Sequence, residues 1–231
     1  MKADNLSSLQ STNYKQKKGV SIEEAYERIK HLISVNQLVP GQKLLYRDLA
    51  KRLNIGVTPI VQALNRLVEL GLVRHDTNKG YFVDEISESE ARQLYQAREA
   101  IEVYAISFVI ANIDPVQLTK IEERFRINSK ADLSQRELIL GDIRFHLAIV
   151  RHSQNDVIYK LLKGILEQVY LKYWPMYLDD KRIQVIRKEH KDLLTHIKNK
   201  DVAKAITLIR DHNKSGMEHV IKTIQSEKQE N

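Results

Sequence analysis

Apolar positions recur along this chain at helical spacing almost from end to end. Ile22, Ala25, Ile29, Leu32 and Ile33 mark a first helix, and Ser21 followed three residues later by Glu24 predicts a capping box at its start. Leu45, Leu49 and Leu53 then fall four apart, and Ile60, Leu64, Leu67 and Leu70 recur at three and four, as in a helix with one buried face. Asn54-Ile55-Gly56 supplies a tight turn between them. Two short helices joined in this way predict a helix-turn-helix, a unit whose second helix has the shape to enter a major groove. Gly71 stands where a left-handed residue would end that helix. The period then changes, and Leu72-Val73-Arg74 and Gly80-Tyr81-Phe82-Val83 bracket Asp76-Thr77-Asn78-Lys79 as a predicted hairpin, or wing.

Beyond the wing the pattern is helical again. Residues Asp84 to Glu90 are polar and acidic and form the expected boundary, and Ser87 with Glu90 makes a second capping box opening a long helix to about Asn112. Asp114-Pro115 pairs an N-cap with a proline at the first helical position and starts a helix to about Ile127. Further helices are expected from about Ser134 to His152, Asn155 to Trp174, Asp180 to Lys198, and Asp201 onward, with the final SEKQEN fraying. The expected fold is therefore mostly α, a winged helix-turn-helix over residues 19–84 followed by an antiparallel bundle of about six helices over 85–231. Residues 1–18 lack periodicity and are expected to be a flexible, solvated tail despite Lys15, Lys17 and Lys18.

Composition narrows the functional classes. A chain of 231 residues can hold two cores. No apolar run reaches the length of a membrane span and the polar N-terminus does not read as a signal peptide, so a cytoplasmic location is expected. The chain has no cysteine, which excludes disulfides and thiolate metal sites and leaves His, Asp and Glu as ligands. Charge is uneven, with 13 Lys and Arg against 8 Asp and Glu in residues 1–84 and 24 against 22 in the remainder. The excess sits with the predicted helix-turn-helix, where it suits phosphate contacts.

In a bundle that needs only apolar stripes, the polar residues lying within them are informative. Arg98 shares a face with Leu94, Ile101, Ala105 and Phe108, and Glu102 follows one turn later. The pair is either a structural ion pair or an anchor for a carboxylate, which arginine can grip with two parallel hydrogen bonds. Asp142 and His146 form an i, i+4 pair beside the stripe Ile139, Ile143, Leu147 and Val150. His190 falls within Ile186, Leu193, Leu194 and Ile197, and His212 flanks Ile206, Ile209 and Val220. Three helices thus each bring a donor toward the bundle axis. Such a set suits a divalent metal with open positions, Zn²⁺ first and Ni²⁺ or a similar ion next. His219, two turns from His212, is a possible substitute. His196 and His152 read as surface residues, and His31 and His75 have no recognisable partner. The aromatic stretch from Tyr170 to Tyr177 reads first as core packing, with a cavity wall or a dimer interface as alternatives.

Taken together, these features resemble the GntR family of bacterial transcription regulators, in its FadR-like branch with a helical FCD ligand-binding domain. The resemblance runs from about Ser21 to Val220. It rests on Pro40-Gly41, Leu45 to Ala50, Thr58-Pro59 with Ala63-Leu64, Leu67 to Leu72 and Gly80 to Val83. In the second half it rests on Arg98 with Glu102, Asp142 with Phe145-His146, Glu189-His190, and Asp201 with His212. It implies a homodimer that binds a roughly palindromic double-stranded operator and changes its grip when a small metabolite, commonly a carboxylate, enters the helical domain. The matching metal positions are Asp142, His146, His190 and His212, and the matching ligand-facing arginine is Arg98. The second helix of the helix-turn-helix departs from the family, which has arginines where this chain has Val57 and Val61, so its strongest base-edge donors are missing. Arg47, Thr58, Gln62, Arg66, Lys79 and Gly80 are the expected DNA contacts. Thr58 capping a helix that begins at Pro59, or a start nearer Gly56 as in the family, would turn different residues to the groove.

The leading expectation is a metabolite-responsive transcription regulator, a repressor rather than an activator. A metal-dependent hydrolase or lyase on the bundle is the alternative from another class, since three-histidine sites can activate water. A sensor that has lost DNA binding is the third.

Overall fold

The structure, a computed structural model, describes residues 21–127, 133–172 and 180–230. The expected flexible tail, most of the aromatic stretch (173–177) and the end of the helix expected to reach Trp174 lie outside the described residues.

The first elements are α1 (Ile22–Ser34), β1 (Lys43–Leu44), α2 (Tyr46–Leu53), α3 (Val57–Glu69), β2 (Val73–Asp76) and β3 (Gly80–Val83). They form a winged helix-turn-helix. Asn54 ends α2 in the left-handed region, at φ +52, and Gly56 caps α3, which begins at Val57. The start at Pro59 is thus corrected: Pro59 lies inside the first turn, where its missing N–H costs no intrahelical bond. The strand order is β1-β3-β2, all antiparallel, with Val73 opposite Val83 and Asp76 opposite Gly80. The two-residue β1 has too little pattern to be legible in sequence. At the wing tip Gly80 sits at φ +96, a backbone conformation that disfavours a β-carbon.

One core holds this unit together. Ile29 of α1, Ile60, Leu64 and Leu67 of α3, and Val83 of β3 are wholly buried, each contributing roughly 1.5–3 kcal/mol by leaving water. Three stripe residues are corrected outward: Leu45, the N-cap of α2, Ile22, in the first turn of α1, and Leu70, the C-cap of α3, are exposed. At Ser21 and Ser87 the serine half of the capping box forms, while Glu24 pairs with Arg28 and Glu90 with Lys172. A complete box closes at Ser134 and Glu137.

The helical part comprises α4 (Glu88–Asn112), α5 (Pro115–Ile127), α6 (Gln135–Val150) with a 3₁₀ turn at Arg151–Ser153, α7 (Asp156–Lys172), α8 (Asp180–Lys198) and α9 (Val202–Glu230). Helix α9 runs through most of the terminal SEKQEN rather than fraying at its start. The long α4 is the spine, packed against α6, α7, α8 and α9. No helix among the described residues is long and apolar enough to cross a membrane.

Helix α7 joins the two parts. Its Leu171 is buried in the core of the winged helix-turn-helix, Glu167 pairs with Lys30 at 2.8 Å, and the Tyr170 hydroxyl donates to the Ser34 carbonyl at 3.4 Å. At its end Lys172 Nζ lies 2.6 Å from Asp84 and 2.5 Å from Glu90, with its side chain 2% exposed.

Candidate functional site

Three helices bring Asp142, His146, His190 and His212 together. One ligand atom from each lies within 4.8 Å of the others. The i, i+4 spacing on α6 sets Asp142 Oδ1 3.7 Å from His146 Nε2, and α8 adds His190 Nε2 at 3.2 Å from the same oxygen. Asp142 Oδ1, His146 Nε2 and His190 Nε2 are buried and make no hydrogen bond. Buried polar atoms are normally satisfied, so three converging exceptions call for a shared partner. A tetrahedral ion with bonds near 2.1 Å separates its ligands by about 3.4 Å; Asp142 stands 3.2 Å from His190 and 3.7 Å from His146, and no pair of the four exceeds 4.8 Å. The donor set therefore fits a divalent metal, while His219 stands outside it.

The surroundings orient the ligands. His212 donates from Nδ1 to Glu189 at 2.7 Å, which turns its Nε2 toward the cluster. His146 Nδ1 lies 2.7 Å from Glu102 Oε1. Glu102 in turn accepts from Arg98 at 3.3 Å and from Asn213 at 2.8 Å, all three being almost fully buried. Glu189 and Asn213 were not singled out by their stripe positions. Glu189 is adjacent to His190 in sequence, but successive helical residues point about 100° apart, and it reaches the imidazole of another helix.

Electrostatics follow from this packing. Burial disfavours the Glu102 carboxylate, but Arg98 and His146 overcome it and hold its pKa far below the usual value. Burial likewise opposes charge on Asp142, whose pKa His146 and His190 nevertheless keep well below the carboxylate range. Burial pushes His190 down to about 3 against the pull of Asp142, and lowers His212 as well. Both are thus held neutral, the form that ligates. His146 is raised: burial opposes its charge, but Glu102 and Asp142 together outweigh that cost.

The cluster opens on a cavity of about 430 Å³, in the range of small-molecule sites. Arg98 lines it, with its guanidinium 3.5 Å from His212 Nε2 and 3.8 Å from Asp142. Arg182, Tyr159 and Tyr170 line it as well. Glu102 does not; it stands behind Arg98 and His146 as their support, so the structure assigns it no face toward a ligand.

On the winged helix-turn-helix, Arg47, Thr58, Gln62 and Lys79 are exposed, and Gly80 shapes the wing turn. Arg66 is held differently: it pairs with Glu23 and stacks over Tyr26, 4.1 Å from the ring centroid, on the side of α3 that faces α1. Asn65, not anticipated, accepts from the Tyr81 hydroxyl at 2.6 Å. His31 and His75 are exposed and remote from the cluster, His75 stacking on Tyr81. His196 and His152 are half-buried outside it.

Comparison with known proteins agrees with this architecture. Residues 21–83 match the profile of the bacterial regulatory proteins of the gntR family, and residues 93–215 match the FCD domain. The HTH-type transcriptional regulator YdhC of Bacillus subtilis is 26% identical over 202 residues, 85% of this chain and 90% of that one. The HTH-type transcriptional repressor GlaR of Escherichia coli is 27% identical over 199 residues, 82% of this chain and 90% of its own. Among solved structures, McbR/YncC of E. coli superposes with a TM-score of 0.75 at 20% identity, covering 88% of this chain and 98% of the other.

Proposed function

The chain belongs to the GntR family of bacterial regulatory proteins, in the branch that carries an FCD domain, and from its membership as a DNA-binding transcription regulator we propose the following mode of action. It is a cytoplasmic, homodimeric repressor that releases its operator when a small carboxylate enters the helical cavity beside a divalent metal. Asp142, His146, His190 and His212 hold the metal, and Arg98 grips the carboxylate from the cavity wall. Zn²⁺ is the first candidate and Ni²⁺ the next. The bound ion supplies open coordination positions for effector oxygens. Its relatives are transcription regulators, so the hydrolase or lyase alternative has no support from them.

The observation that carries this reading is the convergence of three buried atoms lacking hydrogen bonds, on Asp142, His146 and His190, beside a cavity that Asp142, His190 and Arg98 line. Repression is favoured by the relative GlaR, which is named a repressor. A dimer is favoured by an apolar seam on the outer face of α4, where Ala97, Ile101, Tyr104, Phe108 and Ala111 recur at four and three. Tyr104 and Phe108 are 56% and 45% exposed, and α7, packed against α4, exposes Val157 and Leu161. An alternating four-and-three spacing is that of a helix meeting another along one seam.

The test is elemental analysis of the purified protein, followed by thermal denaturation with and without chelator. Near-stoichiometric metal and a melting temperature that rises on adding Zn²⁺ or Ni²⁺ are expected, with both lost in Asp142→Ala. Protein that retains no ion and is indifferent to both would sink the metal reading. A reporter fused to the chain's own upstream region, scored with a panel of carboxylates, tests the sign of regulation.

A further inference from the structure

We propose that α3 selects its operator by thymine methyl groups and adenine edges, through Val57, Thr58, Val61 and Gln62, and that this regulator therefore prefers A·T-rich half-sites. The proposal rests on the DNA-binding reading above and adds the class of base that is read.

The geometry of α3 leaves few alternatives. Ile60, Ala63, Leu64 and Leu67 are wholly buried and fix the orientation of the helix. At 100° per residue the opposite face carries Thr58, Gln62, Asn65 and, at its far end, Glu69, with Val61 on one side, Val57 beyond it at the edge of the buried face, and Arg66 on the other side. The first turns of a recognition helix are the part that meets base edges. Here they present two β-branched apolar side chains, Val57 being 45% exposed and Val61 partly so. The exposed part of each valine gains nothing from the core, and its methyl groups match the C5-methyl of thymine, the apolar feature of the major groove.

The polar side chains point the same way. Arg66 is the one cation along α3, and its pairing with Glu23 and stacking on Tyr26 direct it to α1 rather than to a guanine. Asn65 Oδ1 already accepts from the Tyr81 hydroxyl of the wing strand, which ties its amide to β3 and makes it a poorer partner for adenine than an untethered amide. Gln62 is exposed, and its side chain carries both groups with no hydrogen bond among the described residues. A glutamine meets adenine N6 and N7 with two hydrogen bonds. Arg47 and Lys79, on α2 and the wing, remain as phosphate contacts that position the helix without reading sequence.

The experiment uses the full-length protein and in-vitro selection from a random double-stranded pool at low salt. Half-sites dominated by A·T pairs are expected. Thymines of the selected site are then replaced one at a time by deoxyuridine, which removes the methyl group and leaves pairing intact. At one or more positions affinity falls about three- to fivefold, the worth of burying one methyl. Val57→Ala or Val61→Ala, at exposed or partly exposed positions and checked for helicity, erases the thymine-over-uracil preference at its own position and leaves the salt dependence unchanged. Gln62→Ala lowers discrimination at one adenine by about tenfold. A selected site whose specificity lies in G·C pairs, or one indifferent to uracil throughout, overturns the proposal while the DNA-binding reading stands. Absence of binding to any sequence overturns both.

Discussion

Lys172 is the sharpest point at which to test how the helical part holds the DNA-binding part. Lys172→Met keeps most of the buried stem and removes only the ammonium that lies between Asp84 and Glu90. Breaking a buried ion pair by removing one partner costs about 3–5 kcal/mol, because the remaining charge is left uncompensated. The two carboxylates are 23% and 30% exposed, so water recovers part of that, and a loss of about 2–3 kcal/mol is expected. For a chain of this size it lowers the melting temperature by roughly 5–10 °C. Urea denaturation followed by circular dichroism measures the loss. Adding Asp84→Asn and Glu90→Gln to Lys172→Met should recover most of it, since no uncompensated charge then remains. If the single variant stays within about 0.5 kcal/mol of the parent, or the triple variant is no more stable than the single, the ammonium is not what ties α7 to the linker.

Three further outcomes follow from the site and the wing. Glu102→Gln removes the carboxylate beside His146 and Arg98, and should weaken metal binding by about 10–100-fold in competition with a chromophoric chelator; unchanged affinity would mean Glu102 does not orient the ligand. Gly80→Ala places a β-carbon on a residue at φ +96 and should cost about 1 kcal/mol or more while reducing operator affinity; a variant as stable as the parent would show that the wing turn relaxes freely. Tyr104→Asp should shift the protein toward monomer in light scattering with the helical content preserved, and a dimer that persists at low micromolar concentration would move the interface away from α4.

Much of this architecture is legible in residue order because its determinants are local. Ser87, Asp114-Pro115 and Asp201 announce helix starts that the structure keeps, and the histidines on α6, α8 and α9 declare their faces by the stripes they interrupt. The start of α3 is ambiguous in sequence because Thr58-Pro59 is itself a good cap and first turn, while the helix begins earlier, at Val57 after Gly56. Nothing local marks Lys172 as buried, since its partners lie more than 80 residues away. The same holds for Asn213, which is 1% exposed and reaches Glu102 from a helix on the far side of the sequence. Arg66 was expected at the groove because it is basic and on α3; its partner Glu23 belongs to another helix, and only tertiary packing brings them together.

The length of α4 gives the bundle a mechanical property. Its first residue, Glu88, lies 14 residues before Glu102, so about 21 Å of stiff helix separates the carboxylate beside His146 from the segment that Lys172 clasps. A helix is far harder to bend than to tilt within its packing, and α4 therefore acts as a pointer. A tilt of about 3° pivoting near Glu102 swings the Glu88 end by about 1 Å. In the proposed two-fold assembly the two pointers would move by displacements related by the 180° rotation, so that components across the axis add and the change in their separation is up to twice that of either arm. In the proposed dimeric mode of action, sub-ångström adjustments around an effector would reach the DNA as a change of gauge, much as a caliper converts a small turn at its hinge into a wider opening at its tips.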